Sequence, residues 1–394
     1  MKLSINKVSD LLMGIVLTFV SYPGWAILTV TEGSAPQTVI VPVNPPVISA
    51  GVDVPVGTVI YQASLIMKDN YMEAKWVTAD IGKYLYYATS LNLITTPKPL
   101  SGLTTGPYAN GVYETGIPGI GVAVITGVSN RALTTTKLYA EGQNLLDSSL
   151  GLKITGAGAS SPRAVVLVKT GPIVPGSYTI SAANFPTARE GMEVSQNSHA
   201  NAATISGLPL FYWIFSFQGN ITISAQTCTT PDVAVNLGSY DIAEHFSTSN
   251  ATTPWVDAYI NLINCPTFHG FYNSTNAPLL MNYNTGSSTS TISLNNSVGV
   301  GLTPTTTVLD ATSGIMAIDS TVSGAASGVG IQLGWGESAQ APTLFNFSAE
   351  QSVTLPKDGS STIRIPLAAR YIKTAATPTP GKANGKVAFT INYY

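Results

Sequence analysis

Short runs of β-forming residues, separated by clusters of turn residues, follow one another along this chain. Val, Ile, Thr and Tyr fit a pleated sheet, whereas Pro and Gly end strands and begin turns. Only 10% of the residues are charged, fewer than long exposed helices need, so helical turns are expected only in short segments such as 136–149. The pattern predicts an all-β protein of antiparallel sandwiches or barrels. The predicted strands of the first half lie at residues 38–43, 57–67, 119–128, 163–171 and 176–185.

The densest aromatic stretch, GLPLFYWIFSFQG at residues 207–219, separates two such sets of strands. It is interpreted as the buried last strand of one domain or as a packed joint between two domains. We therefore place a boundary near residue 215. The sequence predicts two tandem β-sandwich domains, residues 27–214 and residues 215–394.

The first 26 residues have the order of a secretory signal peptide. Lys2 and Lys7 precede the apolar run LLMGIVLTFVSY, and the small residues of PGWA stand before the expected cleavage point. A membrane anchor is the alternative, but the run is shorter than the ~20 residues that a bilayer requires. The segment 1–26 therefore predicts a secreted protein.

The chain has two cysteines, Cys228 and Cys265. In a secreted protein two cysteines most simply form a disulfide bond. Closing a loop of this length would stabilise the domain by roughly 4 kcal/mol in the chain-entropy model. A reactive thiol or a metal pair is the alternative, but no histidine stands beside either cysteine at the spacing of a zinc site.

No catalytic motif stands out in the sequence. The three histidines, His199, His245 and His269, form no i, i+4 pair, and neither a GxSxG elbow nor a phosphate-binding glycine loop is present. The carboxylates are dispersed, and a net charge of −2 gives no electrostatic reason to expect nucleic acid. We therefore predict no enzymatic activity, no cofactor, no metal and no nucleic-acid partner.

The last ten residues, GKVAFTINYY, alternate between apolar and polar positions. Val387, Phe389, Ile391 and Tyr393 share one face, which is the period of a strand with one buried side. We expect this strand to keep an uncovered edge. An uncovered apolar edge promotes aggregation unless another segment pairs with it.

The second half of the sequence resembles the pilin domain of bacterial chaperone–usher fimbriae. TCTTPDVAVNLGSY (227–240) is similar to the segment of the first pilin cysteine, and INC (263–265) to that of its partner. GVGIQL (328–333) is similar to a pilin strand. The segment from PLAARY to the end is the most similar, with Gly381 at the fourteenth position from the end and Tyr393 at the penultimate one.

The resemblance implies an immunoglobulin-like domain that lacks its last strand and is completed by a strand from another protein, which is donor-strand complementation. The implied partners are a periplasmic pilus chaperone, an outer-membrane usher and the next fimbrial subunit. NITIS (220–224) would form the opposite rim of the groove, and Tyr394 would present its carboxylate to basic residues of the chaperone. The residues assigned to the groove and to assembly are Ile221, Ile223, Gly381, Val387, Phe389, Ile391, Tyr393 and Tyr394.

The region before residue 215 resembles the N-terminal, lectin-like domain of two-domain tip adhesins. The similar stretches are GTVIYQ (57–62) and TGIPGIGVAV (115–124). Unlike the mannose-binding adhesin, this region has no cysteine, so that specificity is not carried over. Sugars bind to aromatic faces combined with Asn, Asp, Gln or Arg. The receptor-binding candidates are Asp69, Asn70, Tyr71, Trp76, Tyr108, Asn110, Tyr113 and Arg189.

The sequence thus predicts an adhesin that is exported through the periplasm to the cell surface and stands at the tip of a fimbrium. Its first domain would bind a host or surface receptor, expected to be a carbohydrate. The alternative is a two-domain adaptor or minor tip subunit that binds no host ligand. A secreted glycan-processing enzyme is the third hypothesis.

Overall fold

The computed structural model describes residues 27–126, 130–155 and 162–394. The predicted signal peptide, residues 1–26, lies outside the described residues. Almost all regular elements are strands, which confirms the all-β prediction. No helix in the part of the chain that the structure describes is long and apolar enough to cross a membrane.

The strands that precede residue 226 are β1 (Leu28–Glu32), β2 (Gln37–Pro42), β3 (Ile48–Ser49), β4 (Val59–Ile66), β5 (Tyr71–Lys75), β6 (Tyr84–Thr95), β7 (Tyr113–Glu114), β8 (Ile120–Thr126), β9 (Leu138–Leu145), β10 (Gly151–Thr155), β11 (Arg163–Lys169), β12 (Ser177–Ser181), β13 (Thr187–Val194), β14 (Ile205–Ser206), β15 (Leu210–Gln218) and β16 (Asn220–Ser224). The later strands are β17 (Val256–Asp257), β18 (Ile260–Ile263), β19 (Leu279–Asn282), β20 (Ser287–Thr289), β21 (Ser297–Pro304), β22 (Val308–Asp310), β23 (Ile315–Ala317), β24 (Val329–Trp335), β25 (Thr343–Leu344), β26 (Gln351–Thr354), β27 (Thr362–Ile365), β28 (Leu367–Lys373) and β29 (Val387–Tyr393). The helical elements are α1 (Ile242–His245) and 3₁₀ turns at Thr78–Asp80, Ala182–Asn184 and Ser338–Gln340.

The first core lies between two large sheets, with strand orders β20–β19–β4–β11–β8–β7 and β2–β15–β13–β6–β9. Its buried apolar side chains lie between Leu28 and Ala225 in the sequence, apart from a smaller separate cluster, and Tyr272 joins them. The aromatic stretch at 207–219 forms β15, whose Trp213 and Phe215 are fully buried. This stretch is therefore a core strand, as one of its two interpretations predicted.

Strands β8 and β11 are buried on both faces. Val122 and Val124 of β8 point into the first core, whereas Ala123 and Ile125 contact a smaller apolar cluster that includes Leu103. A strand that is covered on both sides has a continuous apolar sequence rather than an alternating one. IGVAVIT has this sequence, and the predicted strand at 119–128 is confirmed.

The helical turn predicted around residues 136–149 is wrong. These residues form β9, an edge strand that pairs antiparallel with β6. The ring of Tyr87 on β6 lies over Gly142, where a Cβ atom would come within 2.4 Å of the ring. A cross-strand contact between an aromatic ring and a glycine stabilises this edge, and local helix propensity does not predict such a contact.

The second core lies between the sheets β17–β28–β24–β23–β22 and β26–β21–β29, with the pair β18–β27 beside them. Its buried apolar side chains lie between Leu237 and Tyr393 in the sequence, and Tyr272 is not among them. A disulfide bond joins Cys228 to Cys265, as predicted. It fixes the start of the second half to the segment that follows β18.

Parts of the second half of the sequence belong to the structure of the first half. The first core extends through Ala225, beyond the predicted boundary at residue 215. The hairpin β19–β20 leaves the second half and pairs through β19, in parallel, with β4. Tyr272, just before this hairpin, packs edge-to-face on Tyr61 with ring centroids 6.1 Å apart. Residues 271–291 are thus built into the first half of the structure.

Two aspartates of the second half have lowered pKa values, and its stability is therefore expected to depend on pH. The Thr312 and Thr321 hydroxyls donate hydrogen bonds to Asp310 (2.8 Å) and Asp319 (2.6 Å), and these bonds lower the pKa of each carboxyl. A carboxyl with a lowered folded-state pKa contributes stability above its unfolded pKa of about 3.9. That contribution is lost as the pH falls through the folded-state pKa.

We therefore expect the urea midpoint of the wild type to fall between pH 5 and about pH 2 more steeply than that of an Asp310→Asn, Asp319→Asn double variant. Asn keeps an acceptor oxygen but does not titrate. Equal pH slopes for the two proteins would contradict the prediction.

Candidate functional site: a groove beside the C-terminal strand

Within the part of the chain that the structure describes, strand β29 lies at the edge of its sheet and β21 is its one partner strand. Antiparallel residues alternate between bonding to the partner strand and facing away from it. Tyr394 exchanges two hydrogen bonds with Ser297 of β21, at 2.8 and 3.0 Å, and the Lys386 carbonyl oxygen accepts from the Thr305 N–H at 2.9 Å. The N–H and C=O groups of the odd-numbered residues from Val387 to Tyr393 therefore face the uncovered edge.

An open groove of about 530 Å³ runs along this edge. Val387 and Phe389 of β29 form one wall, and the irregular segment 232–237 forms the other. Val233 and Val235 on that second wall are each 38% exposed. The floor is formed by apolar side chains of both sheets, among them Ile260, Leu302, Met316, Ile331, Leu333 and Leu367.

The groove therefore opens directly into the second core. A β-sandwich ordinarily closes such a gap with a strand, because apolar side chains from both sheets are otherwise left in contact with water. The irregular wall and β29 leave this space unfilled among the described residues. The arrangement can accept an extended segment that pairs with β29 and inserts alternate apolar side chains.

The groove is closed at the end where Tyr393 lies. The Cys228 N–H donates a hydrogen bond to the Tyr393 hydroxyl (3.0 Å), and the Tyr393 ring packs on Phe268 with centroids 6.3 Å apart. Burial raises the pKa of the Tyr393 hydroxyl, and the hydrogen bond from Cys228 acts in the opposite direction. The disulfide thus holds the opposite wall against the end of β29.

The predicted groove residues of the C-terminal strand fall into two groups. Val387 and Phe389 line the open part, whereas Ile391 and Tyr393 pack against the second core farther along the strand. Tyr394 donates its hydroxyl hydrogen to Glu350 (2.9 Å).

Gly381 lies outside the groove lining, at a backbone crossing. A Cβ at this position would stand 2.5 Å from the Ala326 nitrogen and 2.6 Å from the Gly324 oxygen. The neighbouring Lys382 N–H donates to that same Gly324 oxygen (2.8 Å). Gly381 therefore allows two backbone segments to approach closely before the chain enters the groove wall.

The prediction that Ile221 and Ile223 face the groove is wrong. Both are fully buried in the first core, because β16 pairs with β12 and β3. The opposite wall is instead the segment 232–237, which has no regular structure. The alternation of NITIS predicted a one-faced strand correctly but did not specify which core that face would join.

The eight receptor-binding candidates differ in their exposure. Asn70, Trp76, Tyr108 and Tyr113 are buried. The first three have internal partners. Asn70 donates to the Tyr212 carbonyl oxygen, Trp76 to the Asp147 carbonyl oxygen, and the Tyr108 hydroxyl to the Asn130 side chain. Of the four that are more exposed, Asp69 lies just before β5, Tyr71 is the first residue of β5, Asn110 lies in the loop before β7, and Arg189 lies on β13.

A row of stacked rings on the first half was not predicted. Tyr84 and Tyr86 of β6 stack with centroids 5.6 Å apart, and the exposed His199 stacks on Tyr86 at 3.8 Å. Ser195 and His199 are also within hydrogen-bond distance, at 3.1 Å. The i, i+2 spacing of the tyrosines in KYLYY was the available signal, since it places both rings on one face of a strand.

Within residues 27–126, 130–155 and 162–394, no three His, Cys, Asp or Glu side chains lie close enough together to hold a metal ion. Most side chains that line the groove are apolar, and polar side chains at its rim are Asp232, Asn236, Asn384 and Lys386. The chemistry of this site is therefore that of main-chain pairing and apolar contact.

The solved structures that are similar to the chain include three adhesins or adhesin domains. The CupB6 tip adhesin from Pseudomonas aeruginosa is 14% identical, with 93% of each chain covered and a TM-score of 0.29. The receptor binding domain of the plasmid-born adhesin MrkD1P of Klebsiella pneumoniae is 16% identical over 51% of this chain and 98% of that domain, with a TM-score of 0.28. The Proteus mirabilis Ambient Temperature Fimbriae adhesin AtfE is 17% identical over 48% of this chain and 99% of its own, with a TM-score of 0.24.

The family assignment does not depend on these structures, whose identities and TM-scores are low. No curated protein matches the chain significantly in sequence. The family model described as fimbrial protein matches residues 215–394. That region contains the disulfide, the second core and both walls of the groove. Residues 215–394 of this chain therefore match the fimbrial protein family.

Proposed function

We propose that this protein is a fimbrial tip adhesin whose second half joins the fimbrium by accepting a strand from another protein. One observation carries the proposal: the region that matches the fimbrial protein family contains an apolar groove with the edge strand β29 as its wall. The second half would then be an immunoglobulin-like domain that lacks its last strand.

An added strand would fit both the main-chain edge of β29 and the apolar floor of the groove. The outward N–H and C=O groups of β29 would supply main-chain hydrogen bonds, which do not depend on the incoming sequence. The apolar floor between the two sheets would accept every second side chain and so set the register. The affinity would thus come from the backbone and the specificity from the alternating pattern.

The partners would act in sequence. A periplasmic chaperone would fill the groove first, because the uncovered edge would otherwise lead to aggregation. An outer-membrane usher would then replace the chaperone strand with that of the next fimbrial subunit. These steps would place the protein at the tip of a fimbrium on the cell surface, with no catalytic step.

The first half would bind a receptor on a host or another surface, and we propose a carbohydrate. The stacked row of Tyr84, Tyr86 and His199 supports this proposal, since sugar rings pack on exposed aromatic faces. An adaptor without a host ligand is the alternative function. That alternative is supported by the burial of four of the eight predicted receptor residues, which leaves their side chains unavailable to a ligand.

We expect the full-length protein, refolded alone, to form oligomers and to become monomeric when a peptide of alternating Ile and Thr residues is added. Such a peptide can pair with β29 and place an apolar side chain at every second position. Size-exclusion chromatography with light scattering measures the change.

A peptide of the same composition, with Ile and Thr in two separate blocks, is the control because it cannot present one apolar face. Stable monomers without any peptide would refute strand acceptance, as would equal rescue by the two peptides. The peptide complex of the full chain, applied to glycan and matrix-protein arrays, then separates adhesin from adaptor. Binding to no array component would favour the adaptor.

A further inference from the structure

We propose that the incoming strand pairs with Val387, Phe389 and Ile391 but not with Tyr393, because Asp53 of this same chain already occupies that position. The inference rests on the proposed strand acceptance and adds the limit of the paired region. Residues 51–53 would then limit how far an added strand can pair along β29, and so determine which part of a partner strand is recognised.

The main-chain geometry defines the available positions. Facing groups on an antiparallel edge recur every second residue, about 6.8 Å apart. The outward N–H and C=O groups of Val387, Phe389 and Ile391 have no hydrogen-bond partner among the described residues. These three residues can therefore bond to an added strand without displacing anything.

Tyr393 differs from these three residues, because both of its outward groups are engaged. The Asp53 N–H donates to the Tyr393 carbonyl oxygen (3.0 Å), and the Tyr393 N–H donates to Asp53 Oδ2 (2.8 Å). Asp53 thus makes the two hydrogen bonds that the next residue of an added strand would make. A partner strand could reach this position only by breaking both of them.

The segment that carries Asp53 is held by buried polar contacts. The Lys169 ammonium, only 5% exposed, donates to the Val52 oxygen. Asn296, 3% exposed, donates to the Ser49 oxygen (3.2 Å) and to the Tyr394 oxygen (3.3 Å). These contacts join the segment both to β11 and to the end of β29, so its position is determined from two sides.

Gly51 lets this segment lie directly on the end of the chain. A Cβ at residue 51 would stand 2.4 Å from the Tyr393 oxygen and 2.6 Å from the Tyr394 Cα. Backbone atoms cannot move aside as a flexible side chain can, so any larger residue would lift the segment off β29. The groove also lacks side-chain space at this level, since Cys228 contacts the Tyr393 hydroxyl.

The test is residue-resolved amide exchange of the full-length protein in complex with the alternating Ile/Thr peptide. We expect the amides of Val387, Phe389 and Ile391 to exchange at least about tenfold more slowly than unbonded amides. The amides of Tyr393 and Asp53 should be protected as well. The Tyr393 N–H is bonded to the Asp53 carboxylate, and the Asp53 N–H is bonded to the Tyr393 carbonyl oxygen.

The outcomes separate the inference from the proposed function. If Asp53 exchanges fast in the complex while Tyr393 stays protected, the peptide has displaced the segment and the inference is wrong. If none of the amides at 387, 389 and 391 is protected, strand acceptance itself fails. A Gly51→Ala variant should expose the Asp53 amide to exchange.

Gly301→Ala is the matched control for that variant, because its Cβ would meet no atom closer than 3.9 Å. It should leave the Asp53 amide protected. Equal protection of Asp53 in the two variants would contradict the role given to Gly51. If Gly51→Ala does not fold, the wild-type complex still decides between the outcomes.

Discussion

Replacing Glu190 with Ala should lower the free energy of unfolding by about 3–5 kcal/mol, because it would leave a buried charge without its partner. Glu190 on β13 pairs with Arg163 on β11, and the two side chains are only 2% and 5% exposed. The pair joins the two large sheets across the first core.

The cost follows from desolvation. Burial raises the pKa of the Glu190 carboxyl, and the Arg163 guanidinium opposes that rise. An ionised group removed from water needs its partner's charge and hydrogen bonds, so deleting one member costs far more than an exposed pair contributes. A well-packed apolar pair at both positions would be tolerated better than either single deletion.

Urea denaturation followed by tryptophan fluorescence measures this effect, because Trp213 is fully buried in the same core. Glu73→Ala is the control: Glu73 pairs with Lys75 at 3.6 Å on the surface, where the side chains are 41% and 72% exposed. That variant should lose at most about 1 kcal/mol. Similar losses in the two variants would contradict the structural role of the Glu190 pair.

Replacing Cys228 and Cys265 with Ala should cost about 4 kcal/mol of stability in the second half, the chain-entropy value for a loop of this length. The two cysteines are separated by 37 positions in the sequence. The bridge also holds the wall of the groove, since the Cys228 N–H bonds to the Tyr393 hydroxyl. Strand binding should therefore weaken together with stability.

Chemical denaturation of the wild type with and without dithiothreitol, beside the double variant, measures this loss. The reductant should lower the wild-type midpoint to that of the variant and should leave the variant unchanged. A wild type that keeps its midpoint when fully reduced would show that the disulfide contributes little. The alternating Ile/Thr peptide then reports whether the groove is still formed.

Several elements were predictable because their local pattern leaves one solution. The continuous apolar runs of β8 and β11 specify strands covered on both faces. The alternation of Val387, Phe389, Ile391 and Tyr393 specifies a one-faced strand.

The segment that forms β9 was not predictable in the same way. Its edge is stabilised by the Tyr87 ring over Gly142, a contact between residues far apart in the sequence. Local propensity carries no information about such a partner.

The sequence by itself determined the all-β class, the pairing of the two cysteines and the side of β29 that is buried. Alternation and composition are local properties of the sequence, and they do not depend on which strands pair with each other. The family match over residues 215–394 also follows from the sequence without the tertiary structure.

Only the tertiary structure decided which edges meet. It placed Ile221 and Ile223 in the first core, added the hairpin β19–β20 to β4, and brought Asp53 onto Tyr393. A strand's period fixes its faces but leaves its edges equivalent, because every residue carries the same N–H and C=O groups. The choice of neighbour therefore depends on tertiary packing.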